Sequence, residues 1–578
     1  MLTIQSRILS SMEKVFPDQE PQALSRSMAA AASPAASPDT SAASSPILTA
    51  LQGERVSFQI ALDPDHLPEH FSSLSVQVEV ETDLSVSVSQ LGLVPVRLPY
   101  FDNRDRRYLR DDPGLFPDPL FPLEKVDDSY TAKLLTGRWN SLFFEVDTKG
   151  AAPGTHEISV RLIPTGRLAE NYEPLSETVC VEVANAAMPA SDLIYTCWFH
   201  GDCLADYYHV PVFSEAHWEL MRRQIEMAVR YGQTMLLVPL FTPPLDTAVG
   251  GERTTVQTVQ VSVDESGYHF DFSLFDRFIA MVLDAGIQYL EMSHLFTQWG
   301  GKACPKVMGM KDGAYQKLFG WDNASDSPEY AAFLQAFLSA LVSHLDALGL
   351  RGKVYFHLTD EPHKDHLPQY LKLKNIVEAL LDGYPIMDAM SDYGYFTQGV
   401  SKIPVVATNA LAPFLSGERP EEFWVYYCCS EGSNCLSNRF IDMPGYRTRV
   451  LGIQMFMENV RGFLQWGLNF YNSQYSIRHI NPFETTDADG AFPAGDPFVL
   501  YPGEGGRPIA SQRFVLFHEA IQDLAALKLL EKKKGRAYAT SLVETIASQR
   551  VTFNDYPAGE AFQLALAKAV REAIAGEM

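Results

Sequence analysis

From Ile47 to about Ala187, hydrophobic and polar residues alternate with a period of two in short runs: RVSFQIAL, LSVQVEV, LSVSVSQLGLVPVRL, NSLFFEVDT, HEISVRLIP and TVCVEVAN. Successive side chains of a strand point to opposite faces, so these runs, separated by turn residues such as KGAAPGT, predict an antiparallel β-sandwich. Residues 29–46, AAAASPAASPDTSAASSP, cannot bury enough apolar surface to offset their ordering entropy and predict a loop or linker. After Pro189 the pattern changes to apolar runs alternating with amphipathic helical segments. The predicted strands are LIYTCWFH, TMLLVPLF, QYLEMSHLF, KVYFHLTD, PIMDAMSD, PVVATNA, FWVYYCCS and GFLQWGLNFY, and three of the helical segments between them end in a glycine suited to a left-handed cap. Eight strands, each followed by a helical segment, over about 340 residues predict an α/β fold of the (β/α)8 TIM-barrel type, with an open doubly wound sheet as the alternative. The predicted organisation is an N-terminal β-sandwich over 1–189, a barrel over 190–530 and a helical or extended tail over 531–578.

In such a barrel the reactive groups gather at the C-terminal ends of the strands. Strand one ends in Trp198, His200 and Asp202, strand three in His294 with Trp299 beyond it, and strand four in His357, Asp360 and Glu361. Strand five contributes Asp392, Tyr393 and Tyr395, strand six Asn409, strand seven Tyr427 and Glu431, and strand eight Trp466, Asn469 and Tyr471. Acids, amides and aromatics concentrated at apolar strand ends suit a sugar, whose ring faces stack on aromatic side chains while its hydroxyls take hydrogen bonds.

The sharpest feature is FHLTDEP at the end of strand four. Two adjacent carboxylates, Asp360 and Glu361, leave an apolar strand and meet Pro362, which disfavours helix at Glu361 and is expected to hold it extended. Crowded like charges raise at least one pKa and leave one acid protonated beside an ionised neighbour. Glycoside cleavage needs that division: a proton for the leaving oxygen and negative charge near an oxocarbenium-like centre. The competing reading is a solvated acidic loop at the start of a helix.

The DEP of strand four, the aromatic-rich GFLQWGLNFYN and the segment GDPFVLYPGEGGRPIASQRFVLFHEAIQDLAAL resemble proteins carrying the domain of unknown function 4091. That region is similar to glycoside hydrolase family 123, the β-N-acetylgalactosaminidases. The resemblance spans roughly residues 190–530 and extends to the strand-rich N-terminal module. It implies a retaining exo-glycosidase that releases terminal β-linked N-acetylgalactosamine by substrate assistance, the 2-acetamido oxygen attacking its own anomeric carbon. By motif, Asp360 would orient and charge-stabilise the acetamide, and Glu361 would protonate the leaving group and then activate water. His200, Trp198, His294, Asp392, Tyr393, Glu431, Trp466, Asn469 and Tyr471 are the candidate substrate-binding residues. Glu431 after strand seven keeps a second scheme open, an ordinary retaining barrel glycosidase with Glu361 as acid/base and Glu431 as nucleophile. Members of that group carry Asn before the strand-four Glu, where this chain has Asp360. A non-catalytic carbohydrate-binding protein is the third reading, since it would need the aromatics but not the acid pair.

Charge narrows the partners. With 46 Lys and Arg against 71 Asp and Glu, the chain carries −25, so a basic groove for nucleic acid is not expected. An acidic mouth with Asp202, Asp360, Glu361, Asp392 and Glu431 would disfavour sulfated or uronate-rich chains and leave neutral acetamido glycans, free or on glycolipids, as the expected partner. Seven cysteines without a CxxC pair predict free thiols, not a zinc cage or a disulfide framework. His363, Asp365 and His366 read as exposed residues opening a helix, GEGGR at 503–507 as a turn lacking the phosphate-loop Lys, and EKKKGR at 531–536 as a solvated helix end. No metal and no cofactor are expected. The N-terminus lacks the signature of a secretory signal and no run reaches about 18 apolar residues, so the expectation is a cytoplasmic protein without a membrane span, and a homo-oligomer is compatible with it.

Overall fold

In the computed structural model, residues 2–22, 47–65, 73–99, 104–381 and 383–576 are described. The predicted linker at 29–46 lies outside them. Contacts divide the chain into two compact units, one of residues 1–192, 432–458 and 509–578, the other of residues 193–431 and 459–508.

The first unit holds two largely antiparallel sheets. One orders its strands Ile4–Ser10, Arg55–Pro64, Asn140–Asp147, Ser85–Val96 and Gly114–Pro122; the other runs Ile47–Gln52, Leu175–Ala187, Gly154–Thr165, Ser73–Glu81, Ser129–Leu135 and Lys125–Val126. All six alternating runs of the sequence are strands here. Their inward positions form one core from both sheets, with Phe58 stacked on Phe144 at 4.7 Å beside Ile60, Val76, Val160 and Val181. Gly114–Pro122 escaped prediction because three of its nine residues are proline, which a sheet tolerates at an edge, where this strand lies. The helices Gln512–Lys534, Arg536–Ala547 and Ala561–Ala575 also belong to this unit. They are tied in by buried guanidinium groups: Arg449 bonds Glu519 and Asp523 at 2.8 Å, and Arg571 bonds Asp523 at 2.9 Å as well as Glu54.

The second unit is built on a nearly closed eight-stranded parallel barrel. Its strands are Ile194–Cys197, Met235–Val238, Tyr289–Met292, Val354–Phe356, Met387–Ala389, Ile403–Ala407, Trp424–Tyr426 and Gly462–Gln465, each within its predicted run except strand six, which starts one residue earlier. Six of the eight neighbour pairs carry ladders of three or more residue pairs, strands one and two are registered through Thr196 and Met235 alone, and strands four and five meet in the single bridge Phe356–Ile386. Gly462 lies opposite Trp424 in the pairing of strands seven and eight, where a Cβ would come within 2.0 Å of the indole. Only glycine permits that approach. Gly232, Gly286 and Gly349, just beyond three helices, take φ of 94°, 108° and 68°, as the capping reading requires. Two hairpins were not anticipated, Gln260–Asp264 with Gly267–Asp271 and Val307–Lys311 with Ala314–Phe319, which join into a four-stranded sheet after strands two and three. Among the described residues no helix is long and apolar enough to cross a membrane.

Candidate active site

Beyond strand four the chain runs through His357, Leu358 and Thr359 to the acid pair, and each step is pinned. The amides of Leu358 and Thr359 donate to Asp388 Oδ1 at 2.8 and 3.3 Å, Thr359 Oγ1 donates to the Thr297 carbonyl at 2.7 Å, and the Trp299 amide donates to the Asp360 carbonyl at 2.9 Å. Glu361 departs from expectation. It is not extended but left-handed, with φ of 45°. Pro362 disfavours the right-handed helical region, and with residues 358–360 pinned by the hydrogen bonds above Glu361 takes the left-handed alternative, at a cost on the order of 1–3 kcal/mol. The Tyr426 hydroxyl donates to Glu361 Oε1 at 2.8 Å. Burial first, then the charge of Glu361, push the Asp360 carboxyl well above the ordinary range, against the opposing charge of His357.

Behind the pair lies a buried polar chain. His357 bridges Glu291 through Nε2 and Asp388 through Nδ1, at 2.5 and 3.3 Å. Glu291 also accepts from the Trp198 indole at 2.7 Å and from Thr196, and Asp388 accepts from the Tyr370 hydroxyl at 2.7 Å. Burial alone would lower the His357 pKa, but the hydrogen bonds and charges of Asp388 and Glu291 outweigh it and raise it to about 9. His357 is therefore a buried imidazolium at neutral pH, set among carboxylates. His294 stacks on it with ring centres 4.4 Å apart and stays neutral, its pKa driven well down by burial and by His357.

The remaining candidates separate by what their polar atoms touch. His200 has both ring nitrogens engaged, one with the Trp466 carbonyl at 3.0 Å and one with Arg253 at 3.0 Å; burial and then Arg253 lower its pKa to about 3. The Asn469 side chain exchanges hydrogen bonds with the His200 main chain at 2.9 and 3.1 Å, and the Tyr471 hydroxyl donates to the Leu500 carbonyl at 2.9 Å. Asp202 forms a buried two-bond pair with Arg253, both at 2.8 Å. Asp392 caps the helix Tyr393–Thr397 by accepting from the Gly394 amide at 2.8 Å, and the Tyr393 hydroxyl donates to the Glu418 carbonyl at 3.1 Å. The half-buried Trp466 donates to Asp496 at 3.0 Å and packs in the same cluster as Trp198. Glu431 is buried, accepts the Cys428 amide at 2.7 Å, and has its pKa pushed up to about 7 by burial, with the charge of Glu361 adding to the rise.

Sequence reasoning missed Tyr426, Glu291, Asp388 and Tyr370. Two of them carried a signal: Glu291 in YLEM and Asp388 in MDA are lone acids inside apolar strands, which implies a buried partner. Tyr426 is the last residue of strand seven and Tyr427 the first beyond it, so choosing between them required knowing where the strand ends and which side of it faces inward.

A barrel whose fourth strand delivers paired carboxylates, backed by a buried acid–histidine–acid chain, is the frame of a glycoside hydrolase. The profile of "Glycoside hydrolase 123, catalytic domain" matches residues 198–530, and the chain belongs to that family. Among solved structures it is similar to a family 123 glycoside hydrolase from Clostridium perfringens studied for glycolipid glycan hydrolysis, at 16% identity over 99% of this chain and 98% of that one, with a TM-score of 0.71. That likeness is one of fold. A family 2 glycosyl hydrolase from Bacteroides cellulosilyticus and a β-glucuronidase from Bacteroides uniformis also match, at 8% and 12% identity over 84% and 77% of this chain and 49% and 48% of theirs. Their TM-scores of 0.27 and 0.28 carry no argument. No curated protein matches the chain.

Proposed function

We propose that this glycosidase is a retaining β-N-acetylgalactosaminidase acting at the non-reducing end of neutral glycans, glycolipid glycans included, by substrate-assisted catalysis on a (β/α)8 barrel. The observation that carries the reading is the state of the strand-end acids. An enzyme nucleophile requires a second carboxylate facing the anomeric carbon about 5 Å from the acid, whereas Asp360 and Glu361 leave one strand end as sequence neighbours. A nucleophile supplied by the substrate removes that requirement. Asp360, held protonated by burial and by Glu361, would be stabilised as carboxylate when an acetamide N–H donates to it. Glu361 is then the acid that gives the leaving oxygen its proton. The Tyr426 hydroxyl, 2.8 Å from Glu361, would hold that carboxyl in line. The acetamide oxygen attacks the anomeric carbon as the leaving oxygen takes the Glu361 proton. Glu361, now ionised, removes a proton from the water that opens the oxazolinium ring.

The alternative with Glu431 as nucleophile asks for an exposed, ionised carboxylate. Glu431 is buried, bonded to its own loop and pushed to about 7. These features favour substrate assistance. A nitrophenyl 2-acetamido-galactoside should be hydrolysed while its 2-hydroxy counterpart is not, and equal turnover of the two would overturn the reading. Glu361→Gln should lower cleavage of sugars with poor leaving groups by about 10²–10⁴-fold. Glu431→Gln should keep substantial activity, and the reverse ranking would favour the Glu431 nucleophile.

A further inference from the structure

Trp299 and Tyr475 are aromatic residues that the mechanism leaves unused, and they sit beside it. Trp299 is 40% exposed and Tyr475 39%, with ring centres 5.8 Å apart in an edge-to-face arrangement. Trp299 joins the acid pair directly through its amide on the Asp360 carbonyl, at 2.9 Å. Tyr475 is held by the loop that follows strand two: its amide donates to Asp246 Oδ2 at 3.0 Å, its carbonyl accepts from Ala248 at 3.0 Å, and the Ser476 hydroxyl donates to the Asp246 carbonyl at 2.7 Å. Gln298, next to Trp299, accepts the Asp246 amide at 2.7 Å. Loops from strands two, three, four and eight are thus bonded into one rim carrying two solvent-facing rings.

An exposed Trp and Tyr at right angles forfeit much of the burial that makes such residues stabilising. The rim also holds them in costly backbone: Asp246, Trp299, Tyr475 and Ser476 all have positive φ, of 40°, 56°, 60° and 54°. Gly300 and Gly301 follow Trp299 with φ of 101° and 63°, a backbone that favours glycine, and a Cβ on Gly300 would meet the His366 ring at 2.7 Å. We infer that Trp299 and Tyr475 form a stacking platform for the sugar on the leaving-group side of the scissile bond, making them specificity-determining residues for extended neutral glycans. The inference rests on the acetamido-glycosidase reading. A carbohydrate suits the site because an exposed aromatic face takes the apolar face of a pyranose, and the buried Asp246 and Gln298 fix the loops that present the two rings. Val249 and Ile477, 80% and 74% exposed on the same loops, raise a lipid surface as the competing occupant.

The test is the ratio of kcat/KM for a lipid-free neutral tetrasaccharide ending in β-linked N-acetylgalactosamine to that for the corresponding methyl glycoside. Both have poor leaving groups, and only the first reaches a platform. Trp299→Ala should lower this ratio about tenfold, Tyr475→Ala by several-fold, and Trp299→Tyr should retain most of it. Equal losses on both substrates, or an unchanged ratio in both alanine variants, would overturn the platform. An unchanged ratio combined with slower hydrolysis of the same glycan on phosphatidylcholine vesicles would assign the rim to a lipid surface instead. If the unmodified enzyme cleaves neither substrate, the acetamido reading itself fails and the platform with it.

Discussion

Asp523 and Asp360 present the same side chain in two regions with opposite outcomes. Burial alone would raise both. Asp523, in the first unit, lies between Arg449 and Arg571, whose charges outweigh desolvation and hold its pKa below the ordinary value. Asp360, at the barrel mouth, has Glu361 for a neighbour and is pushed well above it. Asp523, set between two guanidinium groups, holds elements in place and keeps one charge state, whereas Asp360, crowded by another acid, stays poised to exchange a proton. Asp202 shows that the distinction follows partners and not location: it stands at the barrel mouth, yet Arg253 overcomes its burial and it behaves as Asp523 does.

The largest way to break this contrast lies in the paired class. Arg571→Ala leaves Glu54 and Asp523 buried with one cation fewer, and should destabilise the protein by about 3–5 kcal/mol in denaturant unfolding, with little change in kcat for the molecules still folded. A loss under 1 kcal/mol would deny the paired acids their structural role. In the poised class, His357→Gln should cost about ten- to a hundredfold in kcat by loosening the strand-four end. It also removes the positive charge that lowers the Asp360 pKa, so the acidic limb of the pH–rate profile should move to higher pH. A fall in rate with no movement of that limb would reduce His357 to packing.

A third way concerns Glu431. Its pKa rises from 4.5 to about 7 on folding, so the stability it contributes is complete below about pH 4.5 and is lost as pH climbs through 7. Glu431→Gln, which cannot ionise, should gain on the unmodified protein between pH 5 and pH 8 by up to about 3 kcal/mol, read as a Tm difference that widens with pH. A gap that narrows with rising pH would mean the carboxylate is stabilising where it lies.

The alternation of Val, Ser and Phe in RVSFQIAL and its companions determined the N-terminal strands, and eight apolar runs spaced by helices determined the barrel strands, because periodicity is local and burial follows it. Asp360 and Glu361 were legible for the same reason: an acid pair leaving an apolar strand stands out in one dimension. Glu291, Asp388 and Tyr426 became part of the site only through the cross-strand neighbours that gave them His357 and Glu361 as partners. The proline at 362 could disfavour one backbone region for Glu361, but the choice between the other two came with residues 358–360 pinned by hydrogen bonds made by strands three and five. Residue type and spacing are written along the chain. The charge state of a carboxyl depends on which cation or anion the fold sets beside it, and that is decided only in three dimensions.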